Sequence, residues 1–108
     1  MTQEEFVKEF YLLRKSLLEK YFNSVPVTEV GKMISELRLE DHGKEQLKQI
    51  LDFALRDALY TVLLGLDGAA QIGEQQIMYK IFDEDGNELS GDNIEGYAYE
   101  YFQTKKHV

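Results

Sequence analysis

The densest run of residues able to do chemistry lies between positions 79 and 101. It combines Tyr79, Tyr97, Tyr99 and Tyr101 with Asp83, Glu84, Asp85, Glu88, Asp92, Glu95 and Glu100. Tyrosine is large and rigid and carries a hydroxyl, so it anchors interfaces with both apolar area and a hydrogen bond. Carboxylates around such anchors speed encounter with a cationic partner and select for it. If 93–103 is helical, Tyr97 and Tyr101 belong to its apolar arc and only Tyr99 lies off it, beside Glu95. Asp83, Asp85, Glu88, Glu95 and Tyr99 are therefore the candidate partner-binding residues. The competing reading is a set of core tyrosines with a solvated acidic rim.

Other chemistries find less support. With Gly86 at the sixth position of a calcium loop, Asp83 and Asp85 fit the third and fifth, but the first falls on Ile81, which has no side-chain oxygen, and the twelfth on Asp92 where glutamate is usual. His42 and His107 stand in no metal-binding spacing, so no metal site and no cofactor are expected. Ser16, Ser24, Ser35 and Ser90 lack the G-x-S-x-G setting of a nucleophile. The run Leu64-Gly65-Leu66-Asp67-Gly68 lacks the Lys-Ser/Thr of a phosphate loop. It reads as the end of a helix, with Gly65 or Gly68 in a left-handed conformation. A carboxylate- or metal-dependent enzyme stays as a third class, below a ligand-binding domain whose Gly-rich bend and sheet would line a pocket.

The elements that must position these residues follow from periodicity. Residues 3–22 read as a helix with Thr2 and Glu5 as a capping box and a stripe of Phe6, Phe10, Leu13, Leu17 and Tyr21, widened by Val7, Tyr11, Leu18 and Phe22. A second helix is expected from about Thr28 to Glu40, then a turn at Asp41-His42-Gly43. A third, from about Lys44 to Leu64, carries Leu47, Ile50, Leu51, Ala54, Leu55, Ala58, Leu59, Val62 and Leu63 at helical spacing and reads as the central helix, while Lys48, Asp52 and Arg56 stand four apart on another side. Gln76 to Asp83 alternates like a strand, and Asp85-Gly86 reads as a hairpin turn with a return strand from Glu88-Leu89. Segment 93–103 fits either a helix capped by Asp92, with Glu95 completing a capping box, or a strand rich in tyrosine; the helix is taken. Thr104 to Val108 reads as a frayed end. The expectation is an α+β fold in one domain, residues 1–108: three N-terminal helices packed on a small antiparallel hairpin, with a C-terminal helix.

Composition bounds the setting. The 108 residues are 44% apolar, enough for a core, and include no cysteine, which removes disulfides and thiolate chemistry. With an acidic N-terminus unlike a secretory signal and no apolar run of membrane-spanning length, a cytoplasmic protein is predicted. The net charge of −8 is uneven: residues 67–102 hold nine acids and one base, Lys80, while residues 1–24 are balanced. Such a field repels nucleic acid and lipid headgroups and attracts a basic partner. A homodimer through a sheet edge or an apolar helix face is left open.

Size, charge and the Tyr/acid stretch at 79–101 make the chain resemble the small acidic immunity proteins with which bacteria neutralise their own toxins, and its layout resembles uncharacterised bacterial small domains. The resemblance implies a compact, non-enzymatic protein that caps a basic partner with acids and aromatics. It implies no particular fold, because several unrelated folds serve that role.

Overall fold

The computed structural model describes residues 1–91 and 93–104. Four helices form: α1 (Gln3–Tyr21), α2 (Glu29–Leu37), α3 (Asp41–Leu66) and α4 (Ile94–Gln103). Helix α1 starts as its sequence predicts. Thr2 Oγ1 accepts the Glu5 N–H and Glu5 Oε1 accepts the Thr2 N–H, both at 3.1 Å, which satisfies two of the amides a helix start leaves open. Thr28 does the same for α2 by accepting the Gly31 N–H at 2.9 Å.

Helix α2 stops earlier than expected. Arg38 adopts a left-handed conformation (φ 51°) and breaks the chain there. With the break already made, Asp41-His42-Gly43 forms the first turn of α3 instead of a separate loop, and Asp41 sits favourably at the positive end of the helix dipole. At its other end α3 runs through Gly65, which is buried because the Ile72 side chain folds back where a Cβ would stand. Gly68 (φ 77°) is the left-handed residue that ends the run.

The α+β expectation is overturned: the described residues contain no β-strand, only isolated bridges pairing Ile72 with Gln75 and Phe82 with Glu88. The turn itself forms, with the Gly86 N–H donating to Asp83 O at 3.1 Å and the Asp83 N–H to Asn87 O at 3.0 Å. What fails is the ladder. Beyond Leu89 N–H to Ile81 O at 2.7 Å, the Ile81 N–H turns to Ser90 Oγ and the Tyr79 N–H to Leu66 O. The return side lasts only to Ser90, because Gly91 departs at φ 133°. A lone two-stranded ribbon is marginal in water, and here it is also too short. The alternation survives in part: Tyr79 and Ile81 are half-buried while Met78, Lys80 and Phe82 face solvent. Segment 93–103 resolves as helix, with Asn93 as its N-cap; the expected cap, Asp92, lies outside the described residues, as do Lys105 to Val108.

Helices α1, α3 and α4 pack on one another in every pairing, whereas α2 packs on α1. The core is Val7 and Tyr11 of α1, Leu63 of α3, and Ile94, Ala98, Tyr101 and Phe102 of α4, with Phe6, Phe10, Leu59, Tyr60 and Tyr97 around it. Tyr11 meets the rings of Tyr101 and Phe102 at 5.7 and 5.4 Å, separations at which tilted aromatic pairs attract. Helix α3 is not central along its length. At about 1.5 Å per residue its 26 residues are far longer than the ten of α4. Helix α4 runs back from Asp67 and ends level with Arg56. Of the nine residues expected to bury on α3, only Leu63 is fully enclosed; Ile50 is 62% exposed, and Ala54 and Ala58 face solvent. The described part is accordingly elongated, 46 × 29 × 27 Å.

Candidate functional site

The structure distributes the predicted partner-binding residues over two elements. Asp83, Asp85 and Glu88 lie in the turn that follows Ile81; Glu95 and Tyr99 lie on α4. Asp83 is turned into its own turn. Its Oδ1 accepts the Asp85 and Asn87 N–H groups at 3.0 and 2.9 Å, and its Oδ2 accepts Asn87 Nδ2 and the Met1 amine, each at 3.1 Å. These bonds, those of Asn87 first, lower its pKa to about 2. The same ion pair raises the pKa of the Met1 amine. Asp83 thus organises the turn, leaving Asp85 and Glu88 exposed beside it.

Glu95 and Tyr99 stand one helical turn apart on the outer face of α4, and Tyr99 is 55% exposed, while Tyr97 is half-buried and Tyr101 buried. Across from them on α3 stands Tyr60, whose hydroxyl pKa is raised first by burial and then by the nearby charges of Glu95 and Tyr99. Glu95 and Tyr99 thus form an exposed aromatic–acidic surface on α4, and Tyr60, half-buried against the core, lies near enough for their charges to act on its hydroxyl. The surface is fixed from beneath by Asp67, whose Oδ2 accepts the Glu95 N–H at 3.1 Å. An anionic cap at a helix start satisfies an open amide and meets the positive end of the dipole.

A second site was not anticipated. A cleft of about 780 Å³ lies between α1 and α3, with Tyr101 of α4 at its side. At its floor Arg14, 7% exposed, donates through Nη1 to Asp52 Oδ1, and Arg56 Nε donates to the same oxygen at 3.3 Å. Both guanidinium groups lie over the Tyr11 ring, at 4.4 and 5.8 Å. Two buried or half-buried cations thus share one carboxylate, and Arg14 Nε is buried with no hydrogen-bond partner. Lys8, Lys15 and Lys48 add three more cations to the lining and Glu19 one more acid. A chain of net charge −8 has concentrated positive charge in one concavity.

His42 is exposed on the first turn of α3, and His107 lies outside the described residues. Ser90 is buried and its Oγ accepts the Ile81 N–H at 2.9 Å. Among the described residues no group of three or more His, Asp or Glu side chains is placed to hold a metal ion. No described helix is long and apolar enough to cross a membrane. Among the described residues there is no sheet to line the pocket predicted from the Gly-rich bend, and the cleft between α1 and α3 is built from other residues. No protein-family model, no curated protein and no solved structure matches the chain.

Proposed function

We propose that this chain is a non-enzymatic interaction protein that binds a basic protein partner through the surface of Glu95 and Tyr99, with Asp85 and Glu88 as outlying acids. An immunity or inhibitor role is its sharpest form, and a cytoplasmic site of action is part of this reading, resting on the absence of cysteine. The observation that carries it is Tyr99. It stands 55% exposed on a helix whose other tyrosines are drawn inward, with Glu95 beside it and a second tyrosine across the helix pair. A large amphipathic side chain held on a rigid element with acids around it is the kind of anchor on which interface energy concentrates. The uneven charge supports it, since residues 67–102 hold nine acids and one base, a balance that attracts a cationic surface.

The test is capture from the host's lysate at low salt, followed by identification of what remains bound. A stoichiometric basic protein that is released by salt, and is lost with Tyr99→Ala and Glu95→Lys, is the expected result. Both positions are exposed, so these variants keep the fold. A partner retained by both variants, or one indifferent to salt, would refute the assignment of this surface.

A further inference from the structure

From the cleft between α1 and α3 we infer that the protein also binds a small organic phosphate, a phosphomonoester with a compact apolar body, independently of the acidic surface above. The argument begins with charge balance. Arg14 and Arg56 both donate to Asp52 Oδ1. One carboxylate answers two guanidinium ions, and the imbalance lies where water has little access: the Arg14 and Arg56 side chains are 8% and 19% exposed. Enclosed charge without a counter-charge is costly, and an anion entering the cleft removes that cost.

Arg14 is held in place at the base of the cleft. Its Nε is buried without a partner, while the face of its guanidinium is fixed on Tyr11 at 4.4 Å. The group is therefore oriented before any ligand arrives, which lowers the entropy lost on binding.

The lining selects the class of anion. Lys8 and Lys15 come from α1, and Lys48 and Arg56 from α3, so cations stand on both walls. A planar carboxylate is satisfied by one guanidinium fork lying in its plane. A tetrahedral phosphate accepts donors from several directions and carries up to two charges, which suits a guanidinium floor with a rim of ammonium groups. Leu12, Leu18 and Tyr101 supply an apolar flank, which fits an organic body better than a bare ion. The volume of about 780 Å³ is that of a small-molecule site. Glu19 in the wall and the acidic remainder of the chain oppose a nucleic acid polyanion.

The experiment is a calorimetric titration of the full chain with phenyl phosphate, inorganic phosphate and citrate at constant ionic strength, with NMR observation of the arginine Nε–H signals. Phenyl phosphate is expected to bind one-to-one and to move the Arg14 Nε–H signal, with affinity severalfold above that of inorganic phosphate or citrate. Lys15→Gln and Lys48→Gln are exposed changes that keep the fold, and each should weaken phenyl phosphate severalfold. Lys32→Gln on α2, outside the cleft, should leave binding unchanged. Absence of saturable phenyl phosphate binding, equal weakening by Lys32→Gln, or tighter binding of citrate would each overturn the proposal.

Discussion

Asp67 ends one helix and caps another: lying just past the last turn of α3, it accepts through Oδ2 the N–H of Glu95, 28 residues later, in the first turn of α4. The contact joins two of the three packed helices at their shared end. It also fixes where Glu95 and Tyr99 emerge, so the candidate interface depends on a residue that takes no part in it.

Replacing that cap should therefore act on stability and on the interface together. Asp67→Ala is expected to cost about 1–2 kcal/mol, the upper range for losing a helix cap, seen as a lower urea midpoint with unchanged slope. Asp67→Asn keeps an acceptor and loses the charge, so its midpoint should fall between. If both variants melt like the parent, α4 is held by its apolar face alone.

The two ends of α3 should respond differently to substitution. Leu63 is fully enclosed among Val7, Ile94 and Phe102, and Leu63→Ala should cost about 2–5 kcal/mol. Phe53 is 65% exposed, so Phe53→Ser should stay within about 0.5 kcal/mol of the parent. Urea unfolding of both decides the point; a large loss at Phe53 would mean that this side of α3 is covered in solution.

The turn should open in acid. The folded pKa of Asp83 lies below its ordinary value of 3.8, at about 2. Its stabilising contribution is therefore complete above that ordinary value and is lost as pH falls toward the folded value. Hydrogen exchange at the Asp85 and Asn87 amides, both bonded to Asp83 Oδ1, should lose protection in Asp83→Ala at neutral pH. Unchanged protection at those amides would show that the turn stands on its backbone bonds alone.

Which parts of this were legible in the sequence follows from what periodicity measures. The start of α1 is legible because a cap is a local signal, Thr2 with Glu5, whereas the cap of α2, Thr28 on the Gly31 N–H, appears only in the structure. The hairpin was misread because Asp85-Gly86 does specify a turn, while a sheet needs a partner that local pattern cannot supply. The cleft has a signal of its own in the sequence. The apolar residues of α1, from Phe6 to Phe22, form an arc whose middle falls on Val7 and Arg14, and the side that buries is Val7, Tyr11, Arg14 and Leu18. A charge at the centre of an apolar arc calls for a partner. On α3 the polar row of Asp52 and Arg56 supplied it, although that row reads locally as a solvated i,i+4 pair.

The sharing of Asp52 yields the most discriminating prediction. Arg14→Met removes a buried cation and leaves Asp52 bonded to Arg56, so no charge is stranded. Apolar replacement of a buried ion is often neutral or better, and the variant should lie within about 1 kcal/mol of the parent. Asp52→Ala does the reverse and strands two guanidinium groups over the Tyr11 ring. Breaking a fully buried pair costs about 3–5 kcal/mol. The Asp52 side chain is 26% exposed, so about 2–3 kcal/mol is expected, with partial recovery when an anion such as phosphate is added. If Arg14→Met proves the more damaging of the two in urea unfolding, the arginine is there for packing and the charge argument for the cleft loses its foundation.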